Sequence, residues 1–423
     1  MDTDLRTAPA TAPADAPDAA AFYAEARHDL PGPLHGVRVL DVTKVWSGPV
    51  ASCVLADLGA DVLRVEMPGN REGLMPPEIP GTGLSWFRQS VHRNKRSIGL
   101  DLRRPGAAEV FLRLVATADV VVENYKPGTL DAWGVGYRAC RAVRPDVVMV
   151  SISGYGQYGP DAGRPGYDPT TQAAAGWMAL NGEPDGAPLK APTFLADDLA
   201  GLHAVIGALA ALRHRDRTGE GQHVDVSMLD SLLFSSNGYL TLGATGVPLR
   251  RWGDQADFVV PAGCFRCADG HVYVAVALDR SWRRLAEVIG RPELARAPGY
   301  ATNEERRDNR AAVNAVLAGW CADRTCAEVV AALDANGITA ERVRTFAEAA
   351  ADPQVRARAM VQETVLANGT TAPLTGPAVK FSRTPTAVRT GAPEPGADTE
   401  RILDELGVDA PTRARLRADR AIG

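Results

Sequence analysis

A strand–helix–strand unit near the start of the chain most constrains the fold. Residues 37–42 form an apolar run that predicts a buried strand, and a second such run follows at 60–66. The segment between them, VASCVLADLGA, has helical spacing and ends at Gly59. Strands joined by a helix in this way pair in parallel, so we expect an α/β fold with a parallel sheet. The first turn lacks G-x-G-x-x-G, which argues against a dinucleotide site.

The same alternation continues along the chain. Further strands are predicted at 96–102, 119–123 and 147–153, with helices at 105–116, 137–143 and 170–180. The loops 43–49, 124–128 and 154–168 each follow a predicted strand. Ligands in open α/β sheets bind beyond the carboxyl ends of the strands. These loops are therefore expected to surround the functional site.

Two adjacent carboxylates, Asp197 and Asp198, stand at the start of a long predicted helix. The helix covers about 199–215, with basic residues in its last turns and Gly219 after its end. A carboxylate at a helix N-terminus is stabilised as an anion, and an ionised carboxylate can attack an electrophilic carbonyl. Aspartate is also a common N-cap, so simple helix capping is the structural alternative.

The later part of the chain changes character. Asp269-Gly270 between two β-rich runs predicts a hairpin. Strand-like pieces at 361–365 and 379–381 precede a last predicted helix at 399–406. We therefore divide the chain as follows: a disordered or extended tail at 1–33, the first part of a large α/β domain at 34–234, a linker at 235–254, a small α+β domain at 255–340 and a segment completing the large domain at 341–423.

Composition narrows the class of protein. The 423 residues are 45% hydrophobic and carry a formal net charge of -5 with scattered basic residues, which argues against a nucleic-acid partner. We find neither a signal-peptide pattern nor an apolar run near the ~20 residues of a membrane helix, so we expect a cytoplasmic protein without a membrane partner. Cys264 and Cys267 lack a second pair at zinc-site spacing and are interpreted as packing residues, and no metal is expected.

Six blocks, in order, resemble the family III CoA-transferases: GVRVLDVTKVWSGPVASCVLADLGADVLRVE, NKRSIGLDLRRPG, ADVVVENYKPGTLDAWG, SISGYGQYGP, RPGYDPTTQAAAG and LADDLAGLHAVIGALAALRHRDRTGEGQHVDVSMLD. That family includes formyl-CoA transferase, the carnitine and bile-acid CoA-transferases and the α-methylacyl-CoA racemases. The resemblance covers about 34–234 and continues more weakly to the C-terminus. It implies a large doubly wound, Rossmann-like α/β domain formed by both chain ends, a smaller inserted α+β domain and an interlocked homodimer.

The resemblance also implies a mechanism. Asp197 matches the family's nucleophile, whose carboxylate attacks the donor thioester and forms first a mixed anhydride and then an aspartyl-CoA thioester. The substrates are an acyl-CoA donor and a small carboxylic acid acceptor, and no metal is needed. Water must be kept from the anhydride. The segment from Gly243 to Gly253 is the candidate for a closing loop, although it lacks consecutive glycines.

Contacts with CoA are implied residue by residue. The matching positions are Val45, Trp46, Ser47, Leu100, Arg103, Asn124 and Tyr125. Arg103 is also explained as a solvated charge at a helix start, and Tyr125 as a core residue. Met67 stands where a basic residue often follows the glutamate, and the candidate replacements are Lys44, Arg64 and Arg71.

Two other functions compete with CoA transfer. In the racemases an Asp at the position of Asp168 works with a His, but here Tyr167 precedes it and there is no His between His92 and His203. Proton exchange between two bases is difficult without that His, so we favour the transferase, with Asp168 lining the active site. A non-catalytic acyl-CoA-binding protein is disfavoured because Asp197 is present.

The acyl pocket is predicted to be small. Trp46, where formyl-CoA transferases often have Gln, is joined by Tyr155, Tyr158 and Tyr167 as residues that crowd it. We therefore expect a short acid such as a small dicarboxylate, with a short donor such as succinyl-CoA. Transfer of CoA within one dicarboxylate, through the same Asp197, is the alternative.

Overall fold

The computed structural model describes residues 19–69 and 77–423. The strands of these residues, in chain order, are β1 (Arg38–Val42), β2 (Asp61–Glu66), β3 (Glu78–Ile79), β4 (Leu84–Ser85), β5 (Lys95–Gly99), β6 (Val120–Glu123), β7 (Val148–Ser153), β8 (His223–Ser227), β9 (Ala262–Cys267), β10 (Gly270–Ala275), β11 (Thr339–Arg342), β12 (Val361–Val365) and β13 (Thr371–Thr375).

The α-helices of the same residues are α1 (Ala19–Phe22), α2 (Ser47–Asp57), α3 (Trp86–His92), α4 (Ala107–Val115), α5 (Thr129–Ala132), α6 (Tyr137–Val143), α7 (Asp168–Ala174), α8 (Trp177–Leu180), α9 (Leu195–Thr218), α10 (Met228–Phe234), α11 (Tyr239–Ala244), α12 (Asp279–Val288), α13 (Asn303–Asp308), α14 (Arg310–Ala322), α15 (Cys326–Asp334), α16 (Phe346–Ala351), α17 (Pro353–Ala357), α18 (Thr399–Glu405) and α19 (Ala410–Ala418). A short 3₁₀ helix covers Pro292–Ala295.

A six-stranded parallel sheet forms the centre of the fold, in the order β5-β2-β1-β6-β7-β8. This confirms the parallel sheet predicted from the first strand–helix–strand unit. Counted along the chain, these strands are the third, second, first, fourth, fifth and sixth, so the order reverses between β1 and β6. Such a reversal leaves a crevice at the carboxyl ends of the two strands, where α/β proteins bind ligands.

Both faces of the sheet are covered by helices. Leu40, Leu63 and Val121 point to one face and join a core with α4, α18 and α19. The alternate residues point to the other face, where α2 packs against both β1 and α9. Helices on both faces explain why the strand sequences are apolar at nearly every position.

The chain separates into two compact units. Among the described residues, the larger contains 19–69, 77–175, 191–241 and 352–423, and so is formed by both an early and a late part of the chain. The smaller contains residues 176–190 and 242–351 and is built on an antiparallel sheet in the order β11-β10-β9, with the hairpin turn at Asp269-Gly270. Its core includes Cys267, Cys321 and Cys326. The smaller unit therefore extends beyond the predicted small domain at 255–340 on both sides, and it also includes the segment 176–190.

Several predicted elements were wrong. Gly176, with a φ of 81°, divides the expected helix at 170–180 into α7 and α8. Residues 379–381 are not a strand, because β13 pairs with β12 instead. Helix α19 was missed. In the expected tail at 1–33, residues 1–18 lie outside the described residues, while 19–33 contain α1, and the Arg27 N–H donates to the Arg383 carbonyl at 2.8 Å.

Helix α9 is longer and more apolar than predicted. By length and composition it is the one helix of the described residues that could cross a membrane. One side of it, including Ala200, Ala204 and Ala208, is buried in the large unit. The small residues on that side let α9 lie close to α2, and this packing brings the N-termini of both helices to the crevice of the sheet.

Candidate active site

The turn after β1 lies at the crevice and is fixed by Asn124, which follows β6. The Lys44 N–H donates to Oδ1 of Asn124 at 2.8 Å, and Nδ2 of Asn124 donates to the Lys44 carbonyl at 2.7 Å. The same Nδ2 donates to Oγ of Ser47 at 3.3 Å. Between these contacts Val45 has a φ of 63°, which is strained for a β-branched residue. The amide side chain of Asn124 thus stabilises a strained turn by binding other residues of the protein.

Asp197 lies in the first turn of α9, against the N-terminus of α2. Its carboxylate accepts hydrogen bonds from the hydroxyl and the main-chain N–H of Ser47, the first residue of α2, and only 9% of Asp197 is exposed. Gly201 permits this approach, because a Cβ there would lie 2.9 Å from the Ser47 carbonyl oxygen. Two helix N-termini therefore meet at one buried carboxylate, and each favours its anion.

The acidity of Asp197 reflects opposing effects. Burial raises the pKa of Asp197 to about 7, and the carboxylates of Asp168 and Asp198 act in the same direction. The hydrogen bonds from Ser47 lower the pKa but do not compensate fully. Near neutral pH the group is divided between its two forms, and the ionised form is a desolvated nucleophile.

Asp168 lies beside Asp197, as predicted for a residue that lines the site, but both of its oxygens are occupied. Oδ1 accepts the Ala196 N–H at 2.7 Å, and Oδ2 accepts from Nε2 of Gln172 at 2.7 Å. The residue is 3% exposed and caps the first turn of α9 from outside that helix. A carboxylate bound in this way is poorly placed to exchange a substrate proton, which favours the transferase over the racemase.

Trp46 forms an aromatic cluster beside the two carboxylates. Its ring lies 4.8 Å from Phe87, 5.1 Å from Phe194 and 5.9 Å from Trp86, measured between centroids. Its indole Nε1 donates to Oδ1 of Asp198 at 2.7 Å. The pKa of Asp198 is raised by burial, against the effect of this hydrogen bond. This aromatic cluster therefore adjoins the turn that binds both carboxylates, because Ser47 bonds to Asp197 and Trp46 bonds to Asp198.

The predicted tyrosines are not part of this cluster in the large unit. Tyr167 is 65% exposed and Tyr158 is 83% exposed, while the guanidinium of Arg164 lies over the ring of Tyr155 at 5.0 Å. The side chain of Tyr167 lies at the surface because only its main chain takes part in the start of α7, where its N–H donates to Oγ1 of Thr170. Crowding by these rings remains a prediction.

The remaining predicted CoA contacts differ in exposure. Tyr125 is half-buried, packs edge-on against Trp133 with ring centroids 4.9 Å apart, and has Nζ of Lys44 over its ring at 4.6 Å. The half-exposed guanidinium of Arg103 forms two hydrogen bonds with Asp101, at 2.7 and 2.8 Å. Leu100 is 2% exposed, and its side chain packs in the hydrophobic core next to the end of β5.

A basic pocket lies at the carboxyl ends of β5 and β2. Its volume is about 600 Å³, and four arginines contribute to its lining: Arg103, Arg104, Arg417 and Arg420. Arg417 forms an ion pair with Glu400, and Arg104 lies 3.5 Å from Asp101. The pocket therefore combines positive charge with an opening toward solvent, as a phosphate group requires.

Of the candidate replacements for the basic residue missing after Glu66, one is buried and another lies outside the described residues. Arg64 is fully buried, where its Nε donates to Glu66 at 3.1 Å, and Arg71 lies outside the described residues. Among residues 19–69 and 77–423, no group of three or more His, Cys, Asp or Glu side chains is placed to bind a metal ion. The segment from Gly243 to Gly253 belongs to the smaller unit, and its closing movement stays a prediction.

Sequence reasoning missed contacts that join distant parts of the chain. The bond from Trp46 to Asp198 spans 152 residues, and the pocket arginines Arg417 and Arg420 lie more than 300 residues after Arg103. Asp198, which directly follows Asp197, was a visible signal of an additional polar contact. Its partner was not visible, because it depends on how α9 packs against α2.

The raised pKa of Asp197 predicts an effect on stability. Between the pKa of an unfolded Asp and about 7, the folded protein binds the proton more tightly, so stability falls as pH rises through this range. Asp197→Asn removes the ionisation and keeps an acceptor for Ser47. We expect its melting temperature to exceed that of the wild type by roughly 2–4 °C at pH 8, and by less at pH 5. Calorimetry at both values checks this, and equal melting temperatures at pH 8 would contradict it.

Comparisons with known proteins agree with this geometry. The family model for CoA-transferase family III matches residues 34–399. The succinyl-CoA–L-malate CoA-transferase beta subunit of Chloroflexus aurantiacus is 36% identical over 92% of this chain and 98% of its own length. The succinate–glutarate CoA-transferase of Agrobacterium fabrum is 35% identical over 89% and 97%, respectively. A CAIB/BAIF family protein from Brucella suis, 34% identical, superposes with a TM-score of 0.79 over 89% of this chain and all of that one. The chain therefore belongs to CoA-transferase family III and is a CoA-transferase.

Proposed function

We propose that the enzyme moves CoA from a short acyl-CoA donor to a short carboxylic acid through covalent intermediates on Asp197. The observation that carries this proposal is the buried Asp197 carboxylate, hydrogen-bonded by Ser47 at the meeting point of two helix N-termini. Removal from water makes the carboxylate a stronger nucleophile, and the N–H groups orient it.

The proposed chemistry is balanced without a co-reactant. A carboxylate oxygen of Asp197 attacks the thioester carbonyl, the C–S bond breaks, and a mixed anhydride and CoA thiolate result. The thiolate attacks the aspartyl carbonyl of the anhydride, which releases the donor acid and leaves an aspartyl-CoA thioester. The acceptor carboxylate attacks this thioester, and a second anhydride and CoA thiolate form. Attack of the thiolate on the acceptor's carbonyl yields the new acyl-CoA and restores Asp197.

The same edge of the sheet offers a place for each end of CoA. Val45, Trp46 and Ser47 adjoin Asp197 after β1, and the basic pocket lies after β2 and β5. The centres of β1 and β5 are two strand spacings apart, about 10 Å. We place the thioester beside Asp197 and the phosphates of the nucleotide in the basic pocket, with Tyr125 and Lys44 between them.

The relatives and the aromatic cluster both support the substrate class that we propose. Relatives at 31–36% identity are named for transfer involving succinate or succinyl-CoA and malate, glutarate or mesaconate. The rings packed around Trp46 occupy space next to Ser47, which binds Asp197, and this favours a short acid. We propose succinyl-CoA as donor and a small dicarboxylic acid as acceptor, and CoA transfer within one dicarboxylate would use the same steps.

An apolar surface supports a homodimer. Leu202 and Ile206 lie one turn apart on α9 and are 49% and 62% exposed, and Phe234, 81% exposed, packs against His203 on the same helix. An exposed apolar face on a helix that reaches the active site is typical of an interface between subunits. We propose that a second copy of the chain covers it.

Mass spectrometry tests the covalent mechanism. After mixing with succinyl-CoA, we expect a CoA-sized or succinyl-sized adduct on the peptide that contains Asp197. Asp197→Ala should form no adduct, and its kcat should fall by at least roughly 10⁴-fold, because the variant lacks the nucleophile. Asp216→Ala, on the same helix but exposed, is the matched control and should keep both. No adduct, together with deuterium uptake at the α-carbon of a 2-methylacyl-CoA, would establish the racemase instead.

Steady-state kinetics test the basic pocket. Arg420→Gln should raise the KM for succinyl-CoA about three- to tenfold, because a charged contact with phosphate is lost, and leave kcat unchanged. Succinyl-pantetheine lacks the nucleotide, so its KM should not change. Arg415→Gln removes an equal charge from α19, just before Arg420 in the chain but outside the pocket, and serves as control. Equal effects on both thioesters would show that the pocket does not bind the phosphates.

Light scattering tests the dimer. We expect the wild type to have about twice the chain mass of 44.8 kDa. Ile206→Arg places a charge in the apolar surface and should shift the protein toward monomer. Val143→Arg alters an exposed apolar residue on α6 and should not. A monomeric wild type would contradict the proposal.

A further inference from the structure

Two successive carboxylates of α9 bind two successive residues of the turn after β1. Asp197 accepts hydrogen bonds from Ser47, and Asp198 accepts the indole N–H of Trp46 at 2.7 Å. The first contact belongs to the nucleophile. The second has no part in the chemistry above, although Asp198 places a further negative group beside a carboxylate that must ionise.

The contact with Asp198 restricts the indole ring of Trp46. The ring packs edge-on against Phe87 and Phe194 and is tilted against Trp86. Apolar contacts of this kind do not specify where the indole nitrogen lies, whereas the hydrogen bond to the half-buried carboxylate does. The only polar atom of the ring then faces Asp198, and the rest of the ring is carbon.

We propose that Asp198 is a positioning residue that orients Trp46 as a water-excluding wall against the hydrocarbon part of the acyl group on Asp197. This inference rests on the proposed function. An anhydride or thioester on Asp197 is lost if water attacks it, so an apolar ring beside it favours transfer over hydrolysis. A ring without a free donor also offers no site where water could be bound.

The charge on Asp198 carries a consequence for the pH profile. The titratable groups that face it are Asp168 and Asp197, and all three are acidic. Asp198→Asn keeps an oxygen acceptor for the indole and removes the charge. In this variant the acid limb of the pH profile of kcat/KM should therefore move to lower pH, while the orientation of Trp46 is retained.

Fluorine NMR tests the orientation directly and without substrate. The protein has seven tryptophans, and labelling with 5-fluorotryptophan gives one signal for each, with that of Trp46 assigned by its loss in Trp46→Phe. We expect the Trp46 signal to shift or broaden in Asp198→Ala and to change little in Asp198→Asn. Asp216→Asn, the same charge change in the last turns of α9, should leave it unchanged.

The ratio of hydrolysis to transfer tests the consequence. With succinyl-CoA and an acceptor acid, Asp198→Ala should raise this ratio about five- to tenfold, while Asp198→Asn should stay within about twofold of the wild type. Trp46→Phe keeps a ring but loses the N–H and should resemble Asp198→Ala. The double variant should be no worse than either single one, since both remove the same contact.

Several outcomes would overturn the inference. An unchanged Trp46 signal in Asp198→Ala would show that the hydrogen bond does not orient the ring. A shifted signal with an unchanged hydrolysis ratio would show that the orientation does not protect the intermediate, and additive effects in the double variant would show that the residues act separately. A wild type that neither transfers CoA nor forms an adduct on Asp197 would instead refute the proposed function, and with it the role assigned to Asp198.

Discussion

The convergence of two helix N-termini on a buried carboxylate is the constraint on which the site depends. For the nucleophilic attack that we propose, Asp197 must lose water, and it must also remain able to ionise. The Ser47 N–H and hydroxyl replace part of the lost hydration, and the dipoles of α2 and α9 add to their effect. Burial still prevails, since the pKa of Asp197 lies near 7. A shallower site would leave a carboxylate of ordinary acidity, solvated and weakly nucleophilic.

Buried charges beneath the sheet edge support the same turn. Lys95 donates to Asp41 and to Ser52 of α2, each at 2.8 Å, and Asp41 accepts the Thr43 N–H at 2.9 Å. Lys95 and Arg64 lower the pKa of Asp41 against the effect of its burial, so it stays charged. Loss of one partner from such a network leaves an unpaired buried charge. The network therefore fixes the position of the turn after β1, on which Ser47 and Trp46 depend.

Prediction from the sequence succeeded where the signal was local. The periodicity of strands and helices indicated the parallel sheet, and the start of α9 identified the two carboxylates. It missed contacts whose partners come from elsewhere in the chain. The three hydrogen bonds between Asn124 and residues 44–47 require β1 and β6 to be neighbours, and the contact of Asn124 with the nucleotide stays a prediction. The order of the strands is set by packing on both faces of the sheet, and no local sequence pattern predicts it.

By itself, the sequence determined most element types, the parallel pairing and the candidate nucleophile, because these depend on short-range spacing and on side-chain chemistry. Only the tertiary structure decided the acidity of Asp197, the capping role of Asp168, the partner of Asp198 and the gathering of Arg420 with Arg103. Each of these depends on how deeply a group is buried and on what lies opposite to it. The burial of a group and the identity of its neighbours are set by the packing of segments that are far apart in the chain.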